Sequence, residues 1–221
     1  MNKHAYFIAG TDTGVGKTYV SCALLHALRR HGLSAVGMKP VAAGVEDDGR
    51  NGDVTALLAA SSVAAPQELV NPYCFGAPIA PHIAAADTGR TIETGPILAA
   101  AKRLGEMADA LVVEGVGGFL VPLGRDADTG DLARELGLPV ILVVGMRLGC
   151  LSHALLTQEA ILARGLQLAG WVANRVDPDM LRFDENLAEL SERLDAPLLG
   201  IVPYDPSATP AAAAAALRLP G

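Results

Sequence analysis

Short apolar runs alternate along the chain with longer stretches in which apolar residues recur at helical spacing. The apolar runs, which predict buried strands, are residues 5–9, 34–38, 110–113, 139–144, 167–173 and 197–202. The amphipathic stretches, which predict helices, are residues 19–30, 54–60, 91–107, 129–136, 151–164 and 178–194. Strands and helices that take turns in this way are typical of an α/β fold. We therefore predict an α/β fold with an open parallel sheet.

The remaining segments lack either period. Residues 41–52 are polar and contain glycine, and residues 66–81 carry four prolines, so both are predicted to be loops. An alanine-rich tail after Pro210 is predicted to form one short helix. Neither an internal repeat nor a linker divides the sequence, which indicates that residues 1–221 form a single domain.

Composition limits the possible classes of function. Hydrophobic residues make up 51% of the 221 residues and aromatic residues only 4%, so a full but aliphatic core is expected. The net charge of −7, from 24 acidic and 17 basic residues, argues against a surface that binds nucleic acid. The longest apolar run, residues 138–144, is too short to cross a membrane. Three separated cysteines, Cys22, Cys74 and Cys150, and the lack of a signal-peptide pattern favour reduced thiols and a cytoplasmic location.

Residues 10–18 read GTDTGVGKT and stand between the first predicted strand and the first predicted helix. A glycine-rich turn in this position directs backbone N–H groups at one point, where the helix dipole also favours negative charge. The pattern indicates a phosphate-binding loop (P-loop), in which Lys17 reaches the terminal phosphates of a nucleotide and the Thr18 hydroxyl binds Mg²⁺. Thr11 stands where the general motif has its first glycine, so this loop is one residue longer. The alternative, a turn that only shapes the backbone, leaves Lys17 unexplained.

Polar residues follow several of the predicted strands. Lys39, Glu114, Asn174 and a loop at residues 203–205 come directly after strands, and Asp53 follows one closely. Ligands of an open parallel sheet bind at the carboxyl ends of its strands. These residues and the P-loop therefore form one candidate site.

The oxygen-bearing side chains of this set suit a metal. Mg²⁺ prefers oxygen ligands, and Thr18, Asp53 and Glu114 are predicted to share one ion with nucleotide phosphates. Capping of the helix at residues 54–60 explains Asp53 equally well. For Glu114, the alternative is a solvated carboxylate at the sheet edge.

Two other members of the set carry nitrogen. Lys39 precedes a proline, which favours an extended backbone and directs the side chain toward the P-loop. Together with Lys17 it would neutralise charge during phosphoryl transfer; the alternative is an ordinary surface cation. Asn174 has the donor and acceptor groups that recognition of an adenine edge needs, and stabilisation of a turn explains it equally well.

A second anion site is predicted where residues 149–152 open a helix, because free N–H groups there can bind a carboxylate. Capping by Ser152 is an equally good alternative. His82 and His153 are not assigned as general bases, since neither stands with a serine or cysteine partner.

Taken together, the motifs resemble the dethiobiotin synthetase family over residues 7–205. The matching stretches are GTDTGVGKT at 10–18, KPVA at 39–42, NPY at 71–73, PH at 81–82, VEGVGG at 113–118, PVILVVG at 139–145, LGC at 148–150 and GWVAN at 170–174. The longer P-loop is itself a feature of that family. The resemblance implies a P-loop NTPase fold, which is a doubly wound, mostly parallel sheet with helices on both faces. It also implies a homodimer whose active sites lie at the subunit interface.

The resemblance also implies a reaction. Members of the family use ATP and Mg²⁺ to convert 7,8-diaminononanoate and CO2, or bicarbonate, into dethiobiotin. CO2 adds to one amine to give a carbamate, and ATP phosphorylates a carbamate oxygen. The neighbouring amine then attacks the mixed anhydride, which closes the ureido ring and releases phosphate.

Roles for individual residues are implied by the same resemblance. The implied catalytic residues are Lys17, Lys39 and Thr13. The implied magnesium ligands are Thr18, Asp53 and Glu114. Residues implied to contact ATP are Gly14, Val15, Gly16, Lys17, Thr18, Tyr19, Asp53, Glu114, Gly115, Val116, Gly117, Asn174, Arg175, Pro203, Tyr204 and Asp205. Residues implied to contact the substrate are Thr13 and Lys39 and, from the partner subunit, Gly149, Cys150, Leu151, Ser152 and His153.

The chain departs from the family at three positions. Ala43 stands where many members have serine, Gly14 where some have glutamate, and Arg175 where the best-known pattern has aspartate. A hydroxyl contact to the substrate is therefore missing or supplied by another group, and the preferred nucleotide base stays open. The alternative function is that of a partition-type P-loop switch ATPase, which acts by binding partners. Those proteins carry a lysine at the start of the loop, where this chain has Asp12.

Overall fold

The computed structural model of the protein describes residues 4–221. The strands are β1 His4–Gly10, β2 Ala35–Met38, β3 Val41–Ala43, β4 Tyr73–Phe75, β5 Ala110–Glu114, β6 Val140–Gly145, β7 Leu168–Asn174 and β8 Leu198–Val202. The helices are α1 Lys17–Arg30, α2 Gly52–Ala60, α3 Gln67–Val70, α4 Pro81–Asp87, α5 Thr94–Met107, α6 Thr129–Leu136, α7 Cys150–Ala163, α8 Phe183–Arg193 and α9 Pro210–Ala213, followed by a 3₁₀ turn at Ala214–Ala216. Every predicted strand and helix is therefore confirmed, with differences at the ends.

The predicted strands form one parallel sheet in the order β2-β5-β1-β6-β7-β8. The chain builds from β1 first toward β2 and later toward β8, so the strand order reverses at β1. Ligands bind at such a reversal in open α/β sheets, outside the carboxyl ends of the strands. The fold class is confirmed, and the P-loop, which follows β1, lies at the reversal.

Both faces of the central strand are buried. Tyr6 and Ile8 pack into the hydrophobic cluster that includes α1, whereas Ala5, Phe7 and Ala9 pack into the cluster on the other face, which includes α5 and α6. A strand covered on both faces has no polar side, which explains why β1 reads as a continuous apolar run.

The prediction of loops at residues 41–52 and 66–81 is wrong in part. The short strands β3 and β4 lie in these segments and pair in parallel as a separate sheet, and α3 precedes β4. Three-residue strands are too short to show a two-residue period, so the sequence pattern missed them. The side-chain amide of Asn71 donates to the carbonyl oxygens of Lys39 (2.6 Å) and Tyr73 (3.0 Å), which fixes the small sheet to the end of β2.

Several helices begin at other residues than predicted. The N-cap of α2 is Asn51, whose side chain accepts a hydrogen bond from the Val54 N–H at 3.1 Å. The capping alternative for Asp53 is therefore wrong, and its carboxylate makes other contacts. Helices α5 and α8 begin at Thr94 and Phe183, a few residues later than the pattern indicated.

Two further observations concern membranes and thiols. Within residues 4–221, no helix combines the length and hydrophobicity needed to cross a bilayer. Cys22, Cys74 and Cys150 are all free, as predicted. Burial, with smaller contributions from Glu114 and Asp53, raises the pKa of Cys22 to about 12, so this thiol stays protonated.

Substitution of Gly200 in β8 tests how the C-terminal residues pack on the sheet. A methyl group on Gly200 would lie 2.4 Å from the carbonyl oxygen of Ala216 and 2.9 Å from the Leu217 side chain. Because backbone cannot rotate away, we expect Gly200→Ala to lower the free energy of unfolding by about 1–3 kcal/mol in urea denaturation. The control is Gly95→Ala in α5, where no atom lies near the added methyl group and stability should be unchanged or slightly higher. Equal stability of the two variants would contradict this packing.

Candidate functional site

The P-loop connects β1 to α1 in a conformation that requires glycine. Gly14 and Gly16 have φ angles of 73° and 85°, in the left-handed region. Gly16 is the N-cap residue of α1, and no side chain caps this helix. The N–H groups at the start of α1 are therefore directed at an anion site rather than at a side chain, as a phosphate group requires.

Asn174, at the end of β7, holds the P-loop in place. Its side-chain amide donates to the carbonyl oxygen of Val15 at 2.8 Å, although the two residues are 159 positions apart. A methyl group on Gly16 would lie 2.1 Å from the same amide nitrogen. Asn174 thus stabilises a distant loop rather than its own turn, and Gly16 is required both by its φ angle and by this close approach.

Four predicted site residues, Thr18, Lys39, Asp53 and Glu114, meet beside the P-loop, and we call them the lysine–carboxylate cluster. The Lys39 ammonium lies 2.6 Å from Glu114 Oε1 and 2.8 Å from Asp53 Oδ2, and it also donates to the Gly115 carbonyl at 3.1 Å. Thr18 Oγ1 lies 2.7 Å from Asp53 Oδ1 and 2.8 Å from Glu114 Oε1. A hydroxyl group has one hydrogen, so Thr18 donates to only one of the two carboxyl groups at a time.

The register of the sheet explains why Lys39 meets Glu114. In the parallel pair of β2 and β5, Met38 lies opposite Val113, so the next residue of each strand leaves the sheet beside the other. On the other side of β5, Ile8 of β1 lies opposite Glu114. The P-loop therefore begins next to the same carboxyl group.

The cluster is buried and charged. Glu114 is 0% exposed and Lys39 2% exposed, which excludes the solvated-carboxylate and surface-cation alternatives for these residues. Burial alone would lower the pKa of Lys39, but the charges of Glu114 and Asp53 outweigh it and raise the pKa above its usual value. Burial acts to raise the pKa of Asp53, but Lys39 and a hydrogen bond from Thr18 bring it below its usual value. A charged ammonium is thus held between two carboxyl groups.

Lys17, the first residue of α1, donates from Nζ to the carbonyl oxygen of Asp12 at 3.1 Å. Burial, followed by the positive charge of Lys39, lowers the pKa of Lys17 to about 8, against the opposing charges of Glu114, Asp53 and Asp12. An anion at the P-loop would favour the charged form of this amine. Lys17 is therefore a cation suited to a negatively charged ligand.

A cavity of about 360 Å³ opens beside the P-loop. The predicted ATP-contact residues that line it are Gly14, Tyr19, Asn174, Arg175, Pro203, Tyr204 and Asp205. The guanidinium of Arg175 donates to the Pro178 carbonyl at 2.9 Å and lies 5.0 Å from the centre of the Phe183 ring, so its own loop orients it. The Tyr19 hydroxyl donates to the Thr209 carbonyl at 3.0 Å, which connects α1 to the C-terminal residues.

The glycine-rich turn after β5 packs against the P-loop. A methyl group on Gly117 would lie 3.5 Å from Thr13 Oγ1, and one on Gly118 would lie 3.8 Å from the Gly10 carbonyl oxygen. Gly117 also has a φ angle of 64°. The predicted contact residues of this turn and Thr13 are therefore neighbours.

The start of α7 is the second predicted anion site. Gly149 is its N-cap residue, with a φ angle of 95°, and no side chain caps the helix, so the capping alternative for Ser152 is wrong. Ser152 and His153 are exposed. Among the hydrogen bonds of residues 4–221, none joins residues 150–153 to the lysine–carboxylate cluster. Within the described part of one chain, the predicted carboxylate site and the cluster thus share no hydrogen bond.

An ion pair that was not predicted joins the P-loop to the loop that precedes α7. Arg147 Nη2 lies 2.5 Å from Asp12 Oδ2, and the other carboxylate oxygen of Asp12 accepts from the Thr13 N–H at 2.7 Å. The two charged residues are 135 positions apart, so no local pattern signals the contact. Asp12 therefore connects the P-loop to the start of α7.

Curated proteins named ATP-dependent dethiobiotin synthetase BioD are similar along the whole chain. The protein of Aromatoleum aromaticum is 64% identical over 98% of both chains. The protein of Nitrosospira multiformis is 56% identical over 90% of this chain and 88% of its own, and that of Xanthomonas oryzae pv. oryzae 52% identical over all of both. The chain belongs to the dethiobiotin synthetase family. The resemblance inferred from the motifs is confirmed.

The fold of this dethiobiotin synthetase family member is shared more widely. A family described as an AAA domain matches residues 4–212. The septum site-determining protein MinD of Pyrococcus horikoshii, solved with Mg-ADP, has a TM-score of 0.55 at 16% identity, covering 93% of this chain and 83% of that one. A MinC:MinD complex of Aquifex aeolicus has a TM-score of 0.54 at 14% identity, covering 92% and 82%. At such identities the likeness shows the fold alone.

The bond from Asn174 to the P-loop leads to a prediction for nucleotide binding. Asn174→Ala leaves the Val15 carbonyl without this donor, so we expect ATP to bind about 5- to 30-fold more weakly, as loss of about 1–2 kcal/mol implies. Titration with a fluorescent ATP analogue measures the affinity.

The matched control for this experiment is Asn186→Ala. This substitution removes a hydrogen bond of similar length, which the side-chain amide of Asn186 donates to the Arg182 carbonyl in α8. It should leave ATP affinity unchanged. Equal affinities of the two variants would show that Asn174 does not support the P-loop.

Proposed function

We propose that this chain closes the ureido ring of dethiobiotin with residues at the carboxyl ends of β1, β2 and β5. As a member of the dethiobiotin synthetase family, it is an ATP-dependent ligase of biotin biosynthesis. It carboxylates 7,8-diaminononanoate with CO2 and closes the ring through a carbamic-phosphoric anhydride, which gives dethiobiotin, ADP and phosphate. The observation that carries the residue assignments is the lysine–carboxylate cluster beside the P-loop.

The cluster fits a magnesium ion. Thr18, Asp53 and Glu114 present oxygen atoms, which are the ligands that Mg²⁺ prefers. Among the described residues, the buried Glu114 Oε2 has no hydrogen-bond partner, as expected for an oxygen that serves a ligand. We infer that these three residues hold Mg²⁺ together with ATP. When bound, the ion neutralises part of the charge on the phosphates.

Lys17 and Lys39 supply the fixed positive charge that the reaction needs. A carbamate and the γ-phosphate are both anions, so bringing them together costs electrostatic energy unless cations lie between them. Lys17 holds the phosphate at the start of α1, Lys39 faces the carbamate from the end of β2, and Thr13 in the P-loop lies beside the reacting groups. Phosphoryl transfer depends mainly on such positioning and charge neutralisation.

Ring closure then follows from proximity. The free amine of the substrate attacks the carbonyl carbon of the carbamic-phosphoric anhydride, the C–N bond forms, and the C–O bond to the phosphate breaks. The amine loses a proton, and phosphate leaves as an anion that Lys17 and Lys39 can neutralise. Because both reacting groups belong to one molecule, the site needs only to orient them and exclude water.

We assign the adenosine part of ATP to the cavity beside the P-loop. One N–H of the Asn174 side chain donates to the Val15 carbonyl, so its second N–H and its carbonyl oxygen are the groups available to an adenine edge. Tyr204 is 49% exposed and, with Pro203, presents apolar surface to a base. Asp205 and Arg175 complete the lining. These contacts support a purine nucleotide at this position.

We propose that two copies of the chain complete each active site. Leu148, Leu156 and Leu162, in or next to α7, are 96%, 62% and 46% exposed, which makes an apolar surface that water disfavours. The N–H groups that open α7 at residues 149–153 would then bind the substrate carboxylate in the site of the neighbouring subunit. We place the 221-residue protein, as one domain, in the cytoplasm, with neither nucleic acid nor membrane as a partner.

Product formation tests the reaction. The purified protein with 7,8-diaminononanoate, bicarbonate, Mg²⁺ and ATP should yield dethiobiotin and phosphate in equal amounts, measured by mass spectrometry and a phosphate assay. Lys17→Gln should lower kcat/KM at least about 100-fold, because one cation at the transferring phosphate is lost. Lys102→Gln, at an exposed lysine of α5, is the matched control and should leave the rate unchanged. Absence of phosphate release that depends on the diamine would refute the assignment.

Leu148→Glu tests the interface. Leu148 is 96% exposed in one chain, so glutamate there should not disturb the fold, yet a buried charge would separate two subunits. We expect the wild-type protein to sediment as a dimer and Leu148→Glu as a monomer with a raised KM for the diamine. Met107→Glu changes a residue that is 38% exposed at the opposite end of the sheet and should remain dimeric. A dimeric Leu148→Glu variant would place the interface elsewhere.

A further inference from the structure

Three oxygen atoms of the protein surround the Lys39 ammonium. It donates hydrogen bonds to Glu114 Oε1 (2.6 Å) and to the Gly115 carbonyl oxygen (3.1 Å), and it forms an ion pair with Asp53 Oδ2 at 2.8 Å. An ammonium group has three donors and no acceptor. In this arrangement, the Lys39 ammonium is engaged by the protein rather than by a carbamate or a phosphate oxygen.

The carboxyl groups that hold Lys39 are the ones assigned to Mg²⁺. A divalent ion bound by Asp53 and Glu114 would lie within a few ångströms of the Lys39 ammonium, where like charges in a buried site repel strongly. Glu114 Oε1 is already shared by Lys39 and Thr18, so Oε2 is the oxygen of Glu114 that is open to the ion. The ammonium and the ion therefore compete for the negative charge of the same two carboxyl groups.

We propose that Lys39 has two successive positions: it balances Asp53 and Glu114 until a divalent ion binds there, and it is then released toward the carbamate and the γ-phosphate. This inference rests on the magnesium site and the role of Lys39 given under the proposed function. The buried carboxyl groups keep a cationic partner in both positions. Arrival of the metal thus frees the Lys39 ammonium for the substrate, which makes substrate activation depend on a loaded metal site.

The rival arrangement keeps Lys39 in place. In that case the metal would be held by the nucleotide and Thr18 alone, and removal of the lysine charge would leave metal affinity unchanged. The two arrangements differ in the nucleotide-free protein, where activity plays no part.

Binding of Mn²⁺, observed by electron paramagnetic resonance, tests the competition. In nucleotide-free protein, we expect Lys39→Gln to bind Mn²⁺ at least about tenfold more tightly than the wild type, because the competing charge is gone. Lys102→Gln controls for loss of an exposed lysine and should match the wild type. Lys39→Gln/Glu114→Gln removes one of the contested carboxylates and should lose the gain. Affinity of Lys39→Gln equal to that of the wild type would overturn the proposal.

Stability provides a second measurement, because Lys39→Gln leaves buried carboxylates without a cation. We expect MgCl2 to raise the Tm of Lys39→Gln more than that of the wild type, and to restore cooperative unfolding if the variant is otherwise unfolded, whereas NaCl does neither. A variant that stays unfolded in MgCl2, or gains no more than the wild type, would also overturn the proposal. A different outcome, no Mn²⁺ bound by wild-type protein even with ATP, would refute the magnesium site itself.

Discussion

The site is organised by the buried contact between Lys39 and Glu114. A charge removed from water is stable only if a partner of opposite sign replaces the solvent, so neither residue can be placed where it is without the other. Because the two residues end neighbouring strands, their contact fixes the carboxyl ends of β2 and β5 beside the first residues of the P-loop. Asp53 and Thr18 extend the same network to α2 and α1. The Lys39 ammonium is thereby positioned by the sheet rather than by a mobile loop.

Sequence reasoning could find most of this arrangement because it follows from the order of strands. Lys39 and Glu114 each come directly after an apolar run, and parallel strands bring such positions to one edge. What the pattern could not supply was the register between β2 and β5, which depends on packing across the whole sheet. Without the register, the sequence alone cannot distinguish a lysine that faces solvent from a lysine that is buried against a glutamate.

The features that were missed depend on short or distant pairings. Strands β3 and β4 are three residues long and have no recognisable period. The contacts of Arg147 with Asp12 and of Asn174 with Val15 join residues 135 and 159 positions apart. From sequence, the cap of α2 was assigned to Asp53 instead of Asn51, because both residue types cap helices well. Local chemistry identified the candidates, and only the tertiary structure could choose among them.

The ion pair of Asp12 and Arg147 differs from the buried cluster in one respect that matters for the whole site. Its side chains are 45% and 41% exposed, so dissolved salt screens their attraction, and such pairs contribute no more than about 1 kcal/mol. This link between the P-loop and the segment leading to α7 is therefore weak, and its strength depends on ionic strength. Concentrated salt weakens this one ion pair, whereas the buried contact of Lys39 with Glu114 is screened much less.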